Sequence, residues 1–194
     1  MTVVGMRLVL LGPPGSGKGT QAELLAARLG VPTISTGDMV RAVIESGNEL
    51  GRQVDQLVAS GALVDDQTMA SLVRRRLTEA DAANGFLLDG YPRTLPQADT
   101  LASILAEQGR RLDGTLVFNV PKDELLRRLL GRQRADDREE IIRHRLEVYR
   151  RQTEPLVQHY RDLELLREIS GDDSIEAVEA AIVEALELVE QGVA

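Results

Sequence analysis

Four apolar residues, Leu8-Val9-Leu10-Leu11, run straight into Gly12-Pro13-Pro14-Gly15-Ser16-Gly17-Lys18-Gly19-Thr20, and a helical pattern follows from Thr20 to Leu29. A strand that turns through a glycine-rich loop into a helix has little geometric choice. Successive peptide N–H groups and the positive end of the helix converge on one point, which suits a phosphate. The spacing matches the phosphate loop G-x-x-x-x-G-K, with Gly19 where serine or threonine usually follows and a hydroxyl only at Thr20. Lys18 stands out further because lysine is scarce: 21 of the 23 basic residues are arginine, and the other lysine is Lys122. A lysine ammonium is a flexible point charge able to follow a phosphate from one bonding partner to the next. The plain alternative is a strand–helix turn with a chance lysine; the apolar run before it and the helical pattern after it argue for a nucleotide phosphate site.

Strand and helix signals alternate along the rest of the chain, which predicts an α/β fold with a parallel sheet. The strands expected are Arg7–Leu11, Thr33–Ser35, Phe86–Asp89, Thr115–Asn119 and about Leu165–Ile169. Helices are expected at Thr20–Leu29, Gly37–Ser46, Glu49–Ser60, from Asp65 to about Glu79, Pro96–Gln108, Lys122–Leu130, Asp137–Tyr160 (the longest) and Ser174–Glu190. Between the second and third strands there are three helical patterns where a crossover needs one. The surplus, residues 35–64, reads as a helical insertion at the carboxyl ends of the strands, where ligands bind in such sheets.

Composition excludes several functions. With 194 residues, 43% of them hydrophobic, the chain supports one full core and a small inserted piece. No stretch approaches the roughly 20 apolar residues of a membrane span, and Met1–Gly5 lacks a signal peptide's regions, so a cytoplasmic protein without membrane contact is expected. Cysteine is absent, which removes disulfides, thiol nucleophiles and thiolate-held zinc. A net charge of −8 and few aromatics argue against nucleic acid as a partner. Yet residues 127–151 hold nine arginines against five acids, a local +4 in an acidic chain. Part of that cluster is expected to face anions, and part to form helix-surface ion pairs. Phe86-Leu87-Leu88-Asp89 is an apolar strand ending in a carboxylate, the position that holds Mg²⁺, directly or through water, in phosphate-loop proteins. Arg93 follows in the turn Gly90-Tyr91-Pro92-Arg93, where burial would demand an anionic partner.

Taken together, Gly12–Thr20, Ser35-Thr36-Gly37-Asp38-Met39-Val40-Arg41, Asp89-Gly90-Tyr91-Pro92-Arg93 with Gln97, and the arginines around 128–145 resemble adenylate kinase in order and spacing, over about residues 7–190. The Gly-Lys-Gly-Thr reading is the family's own, so Gly19 supports the resemblance. The resemblance implies a single kinase domain over 1–194: a P-loop NTPase-like five-stranded parallel sheet flanked by helices, with a monophosphate-binding insertion at 35–64. It also implies a short lid at 131–137 in place of a longer one, and zinc is not expected there. It assigns Gly15, Ser16, Gly17, Lys18, Gly19, Thr20, Arg128, Arg132 and, through main chain only, Asp173 to ATP. It assigns Thr36, Arg41, Ala62, Leu63, Val64, Gly90, Tyr91, Pro92, Arg93, Gln97, Arg134 and Arg145 to AMP, with Arg93 on the phosphate and Gln97 on the base. Lys18, Arg93, Arg132, Arg134 and Arg145 would close on the transferring group, and Asp89 would hold Mg²⁺ through water. The helix pattern supports Arg145 independently: four after Ile141 and four before Tyr149, it lies on an apolar stripe.

The activity implied is reversible transfer from Mg·ATP to AMP, giving two ADP, by a protein expected to be a monomer. An acceptor phosphate is already ionised, so no general base is needed, and neither His144 nor His159 falls in a matched motif. Positioning and charge neutralisation supply most of the catalysis in phosphoryl transfer. Rival readings are a kinase for UMP or CMP, disfavoured by Thr36, and a nucleotide switch without an acceptor, which leaves Arg41, Arg93 and Gln97 unexplained. A shikimate-type kinase would lack the Asp-Gly-Tyr-Pro-Arg turn.

Overall fold

Strand β1 (Arg7–Leu11) alternates its side chains between two separate cores. Val9 and Leu11 enter one, Leu8 and Leu10 the other. The same split recurs in β3 (Phe86–Asp89), with Phe86 and Leu88 on one side and Leu87 on the other. A continuous apolar run is what a sheet covered on both faces requires. The computed structural model describes residues 5–60, 62–131 and 138–190. The five strands are all parallel, in the order β2 (Thr33–Ser35), β3, β1, β4 (Gly114–Asn119), β5 (Leu166–Ser170). Leu10 pairs with Asp89 on one side and Leu116 on the other, and Ser35 lies opposite Asp89. β1 is therefore the point from which the chain winds outward in both directions, and a crevice opens at its carboxyl end.

One face is covered by α1 (Lys18–Leu29) and α9 (Ile175–Glu190), through Ala22, Leu25 and Leu29 of the first and Val178, Ile182 and Leu186 of the second. The other is covered by α4 (Asp66–Leu77), α5 (Leu95–Glu107) and α8 (Pro155–Asp162), with Val73, Leu101, Ile104, Leu156 and Tyr160 buried. The surplus helices are α2 (Thr36–Glu45) and α3 (Glu49–Ser60); their Val40 and Val54 join that second core. Local chemistry sets the helix starts. The Ser35 hydroxyl accepts from Asp38 N at 3.2 Å, Asn48 from Gly51 N at 2.7 Å, and Asp65 from Thr68 N at 2.8 Å. Gly30 ends α1 in the left-handed conformation, as its position predicts.

The expected helix over 137–160 is two helices. α6 (Lys122–Gly131) is followed, beyond the undescribed residues, by α7 (Glu139–Val148), a π-helical turn at Tyr149–Thr153, and then α8. The cause is Pro155: it has no N–H to donate, and its ring collides with the carbonyl four residues back. The chain widens by one residue per turn, Glu154 N bonding to Tyr149 O at 2.9 Å, before the helix resumes. The expected start at Asp137 lies outside the described residues, as do lid residues 132–137 and Gly61.

Candidate active site

The crevice is a cleft of about 550 Å³. Its floor is the loop from Gly12 to Thr20, one wall comes from α2 and residues 62–64, the opposite wall from Asp89, Gly90, Pro92, Arg93 and Gln97, and its rim from Arg128 and Arg145. Every described candidate residue lines it except Tyr91 and Asp173. Tyr91 stands apart in its side chain: its ring turns into the core, 1% exposed, and its hydroxyl finds no protein partner. Burial pushes that phenol up to about 12. The residue sits in a loop of polar character, but the cis Tyr91–Pro92 turn presents Gly90, Pro92 and Arg93 to the cleft instead. Asp173 is exposed in the turn after β5 and outside the cleft lining. Arg132 and Arg134 lie outside the described residues.

In the loop, Ser16 is buried, and the Lys18 ammonium donates to Gly12 O at 2.7 Å, Pro13 O at 3.0 Å and Ser16 Oγ at 3.3 Å. The charge is thus folded over the loop's own oxygens, in the place phosphate oxygens would offer stronger, ionic acceptors. Arg128 donates to Glu124 at 2.6 Å and to Gly171 O at 2.8 Å, joining α6 to the turn after β5. Arginines 127 and 128 together hold the Glu124 carboxyl down at about 2.

The wall that carries Asp89 and Arg93 is built around Gly90. Its φ is 84°, and a Cβ there would stand 2.6 Å from Thr36 Oγ1 and 2.9 Å from Arg93 Nη2. Only glycine allows the turn, the α2 N-terminus and Arg93 to meet. Buried Thr36 donates to Asp89 O at 3.2 Å, tying α2 to the end of β3. Arg93 is fixed at three points: its Nε donates to Gly90 O at 2.7 Å, its N–H to Gln97 Oε1 at 2.7 Å, and its carbonyl accepts from Thr153 at 2.9 Å. Desolvation pulls its guanidinium below the ordinary arginine range; Asp89 opposes this and Arg145 adds to it. No carboxylate among the described residues forms an ion pair with it. Arg41 is exposed and ion-paired to Asp38 one turn earlier. The site is therefore a glycine-rich loop with its lysine and a fixed, half-buried arginine lining one cleft, with a single strand-end carboxylate between.

A family model for adenylate kinase matches residues 10–165 of the chain. The chain belongs to the adenylate kinase family. Among its relatives are the adenylate kinase of Corynebacterium glutamicum, 51% identical over 181 residues, and that of Mycobacteroides abscessus, 50% identical over 181; each alignment covers 93% of this chain and 99% of the relative. The adenylate kinase of Moorella thermoacetica is 46% identical, with 93% of this chain and 98% of the relative covered. Its alignment runs over 212 positions, more than the 194 residues of this chain, so it includes positions with no counterpart here.

Sequence reasoning missed several residues that shape this adenylate kinase cleft. Val40 and Met69 extend its apolar wall, and Tyr149 and Thr153 enter it from the π turn. Periodicity set Tyr149 on the stripe that carries Arg145, though only as apolar support for it, and the turn shifts the helix phase so that Thr153 gave no signal. Asp66 was missed as well. A helix needs one N-cap, Asp65 supplies it, and the second aspartate was therefore spare; its carboxylate reaches Gln97 Nε2 at 2.7 Å. No group of three or more acids and histidines could form a metal cage among the described residues, and no described side chain hydrogen-bonds the Asp89 carboxylate. A lone carboxylate of this kind fits Mg²⁺, which keeps several waters and takes other ligands from substrate phosphates.

Proposed function

We propose a residue-level account of reversible phosphoryl transfer between ATP and AMP, giving two ADP, the activity carried by the adenylate kinase family to which this phosphotransferase belongs. The observation that carries it is Arg93: fixed at three points and half-buried in the cleft that the glycine-rich loop also lines, it forms no ion pair with a described carboxylate and is placed to take an anion. The donor triphosphate lies along residues 15–20 with Lys18 and Arg128. The acceptor nucleotide lies against Thr36, Arg41, residues 62–64 and Gln97, its phosphate on Arg93 and Arg145. Arg132 and Arg134 complete the cationic ring from the lid. Mg²⁺ bound with the nucleotide would neutralise charge on the donor phosphates, and Asp89 is the residue that would hold it, through water. No histidine lines the cleft, in keeping with a transfer that needs no general base and depends on in-line positioning and neutralisation.

Several coarser features belong to the same reading. Residues 35–64 act as the monophosphate-binding unit and 131–137 as a short lid, in keeping with a chain of 194 residues. The protein works as a cytoplasmic monomer; no described helix is long and apolar enough to cross a membrane. The deciding experiment is transfer from Mg·ATP to AMP, UMP and CMP side by side, read as nucleoside diphosphate formed. A large preference for AMP is the expected result. Equal or better use of UMP or CMP would overturn the acceptor assignment while leaving the mechanism, and no transfer to any of them would overturn both.

A further inference from the structure

Gln97 is almost wholly buried, 1% exposed, yet lines the cleft beside the apolar residues Val40, Val64 and Met69. Its carboxamide has two N–H donors and an oxygen with two lone pairs. One lone pair takes the Arg93 peptide N–H at 2.7 Å, and one N–H goes to Asp66 Oδ1 at 2.7 Å. A carboxylate at neutral pH only accepts, and a peptide N–H only donates. Of the two amide orientations that differ by a half-turn, only one satisfies both neighbours. The other would set Gln97 oxygen against the Asp66 carboxylate and its NH₂ against the Arg93 N–H. Asp66 is itself held, since the Thr94 hydroxyl lies 3.2 Å from each of its oxygens.

We infer that Asp66 is a positioning residue that sets the choice of acceptor base, by fixing which end of the Gln97 carboxamide donates. The inference rests on the proposed seat of the acceptor base at Gln97. After its two protein bonds, the amide retains one donor and one acceptor in a fixed spatial order. Adenine offers a matching pair: the 6-amino group donates and a ring nitrogen beside it accepts, the pairing by which glutamine reads adenine elsewhere. A 6-oxopurine offers an acceptor at that same place, so it requires the amide to turn over, and turning over breaks both bonds at once. A free glutamine would serve either base; a held one discriminates. Asp66 touches no part of the nucleotide in this arrangement and acts only through Gln97.

The test is kcat and KM for AMP and for inosine monophosphate, with Mg·ATP as donor, in the wild type, Asp66→Asn, Asp66→Glu and Gln97→Ala. An asparagine at 66 can turn its own amide to meet either orientation of Gln97, removing one of the two penalties and leaving the Arg93 N–H. The AMP-to-inosine-monophosphate ratio of kcat/KM is expected to fall about tenfold in Asp66→Asn, the scale of one hydrogen bond to a charged group. The change should lie in KM rather than kcat, and Asp66→Glu should restore part of the ratio. A folded Asp66→Asn protein with a ratio within about twofold of wild type overturns the inference. Gln97→Ala separates the two levels: a raised KM for AMP there upholds the seat of the base whatever Asp66 does, and an unchanged KM overturns the seat itself. Should Asp66→Asn fail to fold, side-chain amide NMR of the wild type decides. One Gln97 amide proton protected from exchange in the nucleotide-free protein is expected, and two freely exchanging protons would overturn the inference.

Discussion

Lys18 and Gly90 illustrate how far single residues commit the cleft before any nucleotide arrives. The Lys18 ammonium is held by three loop oxygens, so it needs no search to find a phosphate placed over the loop. Lys18→Ala is expected to lower turnover by at least about 10²–10³-fold, the scale of losing one group that stabilises transferring charge. Near-normal turnover in a steady-state assay would rule out the role given to it. Gly90→Ala places a methyl group against Thr36 and Arg93 at a positive φ; a loss of about 1–3 kcal/mol in denaturant unfolding is expected, together with a raised KM for AMP. Lys18, Asp89 and Arg93 were legible in the sequence because each is bracketed by residues that dictate backbone: an apolar strand, glycines, a proline. The burial of the Tyr91 ring was not legible, since those brackets fix the path of the chain and not the face to which a side chain turns. Nothing in the sequence pointed Asp66 toward the cleft.

At the level of elements, two contacts set the geometry of the walls proposed to hold the acceptor. The first is the crossing of α2 and α3. A Cβ on Gly51 would lie 2.4 Å from the Val43 carbonyl oxygen, a backbone atom that cannot swing away. Gly51→Ala should therefore push the two helices apart and weaken AMP binding, with little change in KM for ATP. Equal KM values for both nucleotides in the mutant and wild type would refute this. The second is the π turn, from which buried Thr153 donates to the Arg93 carbonyl. Thr153→Val keeps the shape and deletes the donor. A stability loss of about 1–3 kcal/mol follows from an unsatisfied buried carbonyl, and thermal unfolding measures it. Helix starts were readable because Ser35, Asp65 and Thr94 are strong caps. The π turn was not, because the apolar spacing continues through Pro155 while its missing N–H and its ring together break the ladder.

The whole molecule was the most legible scale: alternating strand and helix signals leave few topologies for a parallel sheet, although the strand order, with β1 at the switch point, came only from the structure. What the pattern does not encode is where buried polar groups end, and the tyrosines show the result. All three are held above their ordinary range by burial, Tyr91 and Tyr149 at about 12 and Tyr160 also raised. Burial favours the neutral phenol, so their stabilising contribution is whole below pH 10 and is lost as pH rises from 10 through about 12. The chain has no tryptophan to obscure the signal. Phenolate absorbance should stay flat through pH 10 and rise only together with unfolding; a tyrosine ionising near 10 in the folded protein would contradict the burial. Parallel strands also give the molecule a mouth and a base. At the base, Asp113 grips Arg7 through a peptide N–H at 2.7 Å and a two-pronged ion pair at 2.9 and 3.1 Å, far from every strand's carboxyl end. A solid support coupled through the exposed turn at Gly109–Arg111 would thus hold the molecule like a cup by its foot, and immobilised protein should turn over nucleotide as freely as dissolved protein.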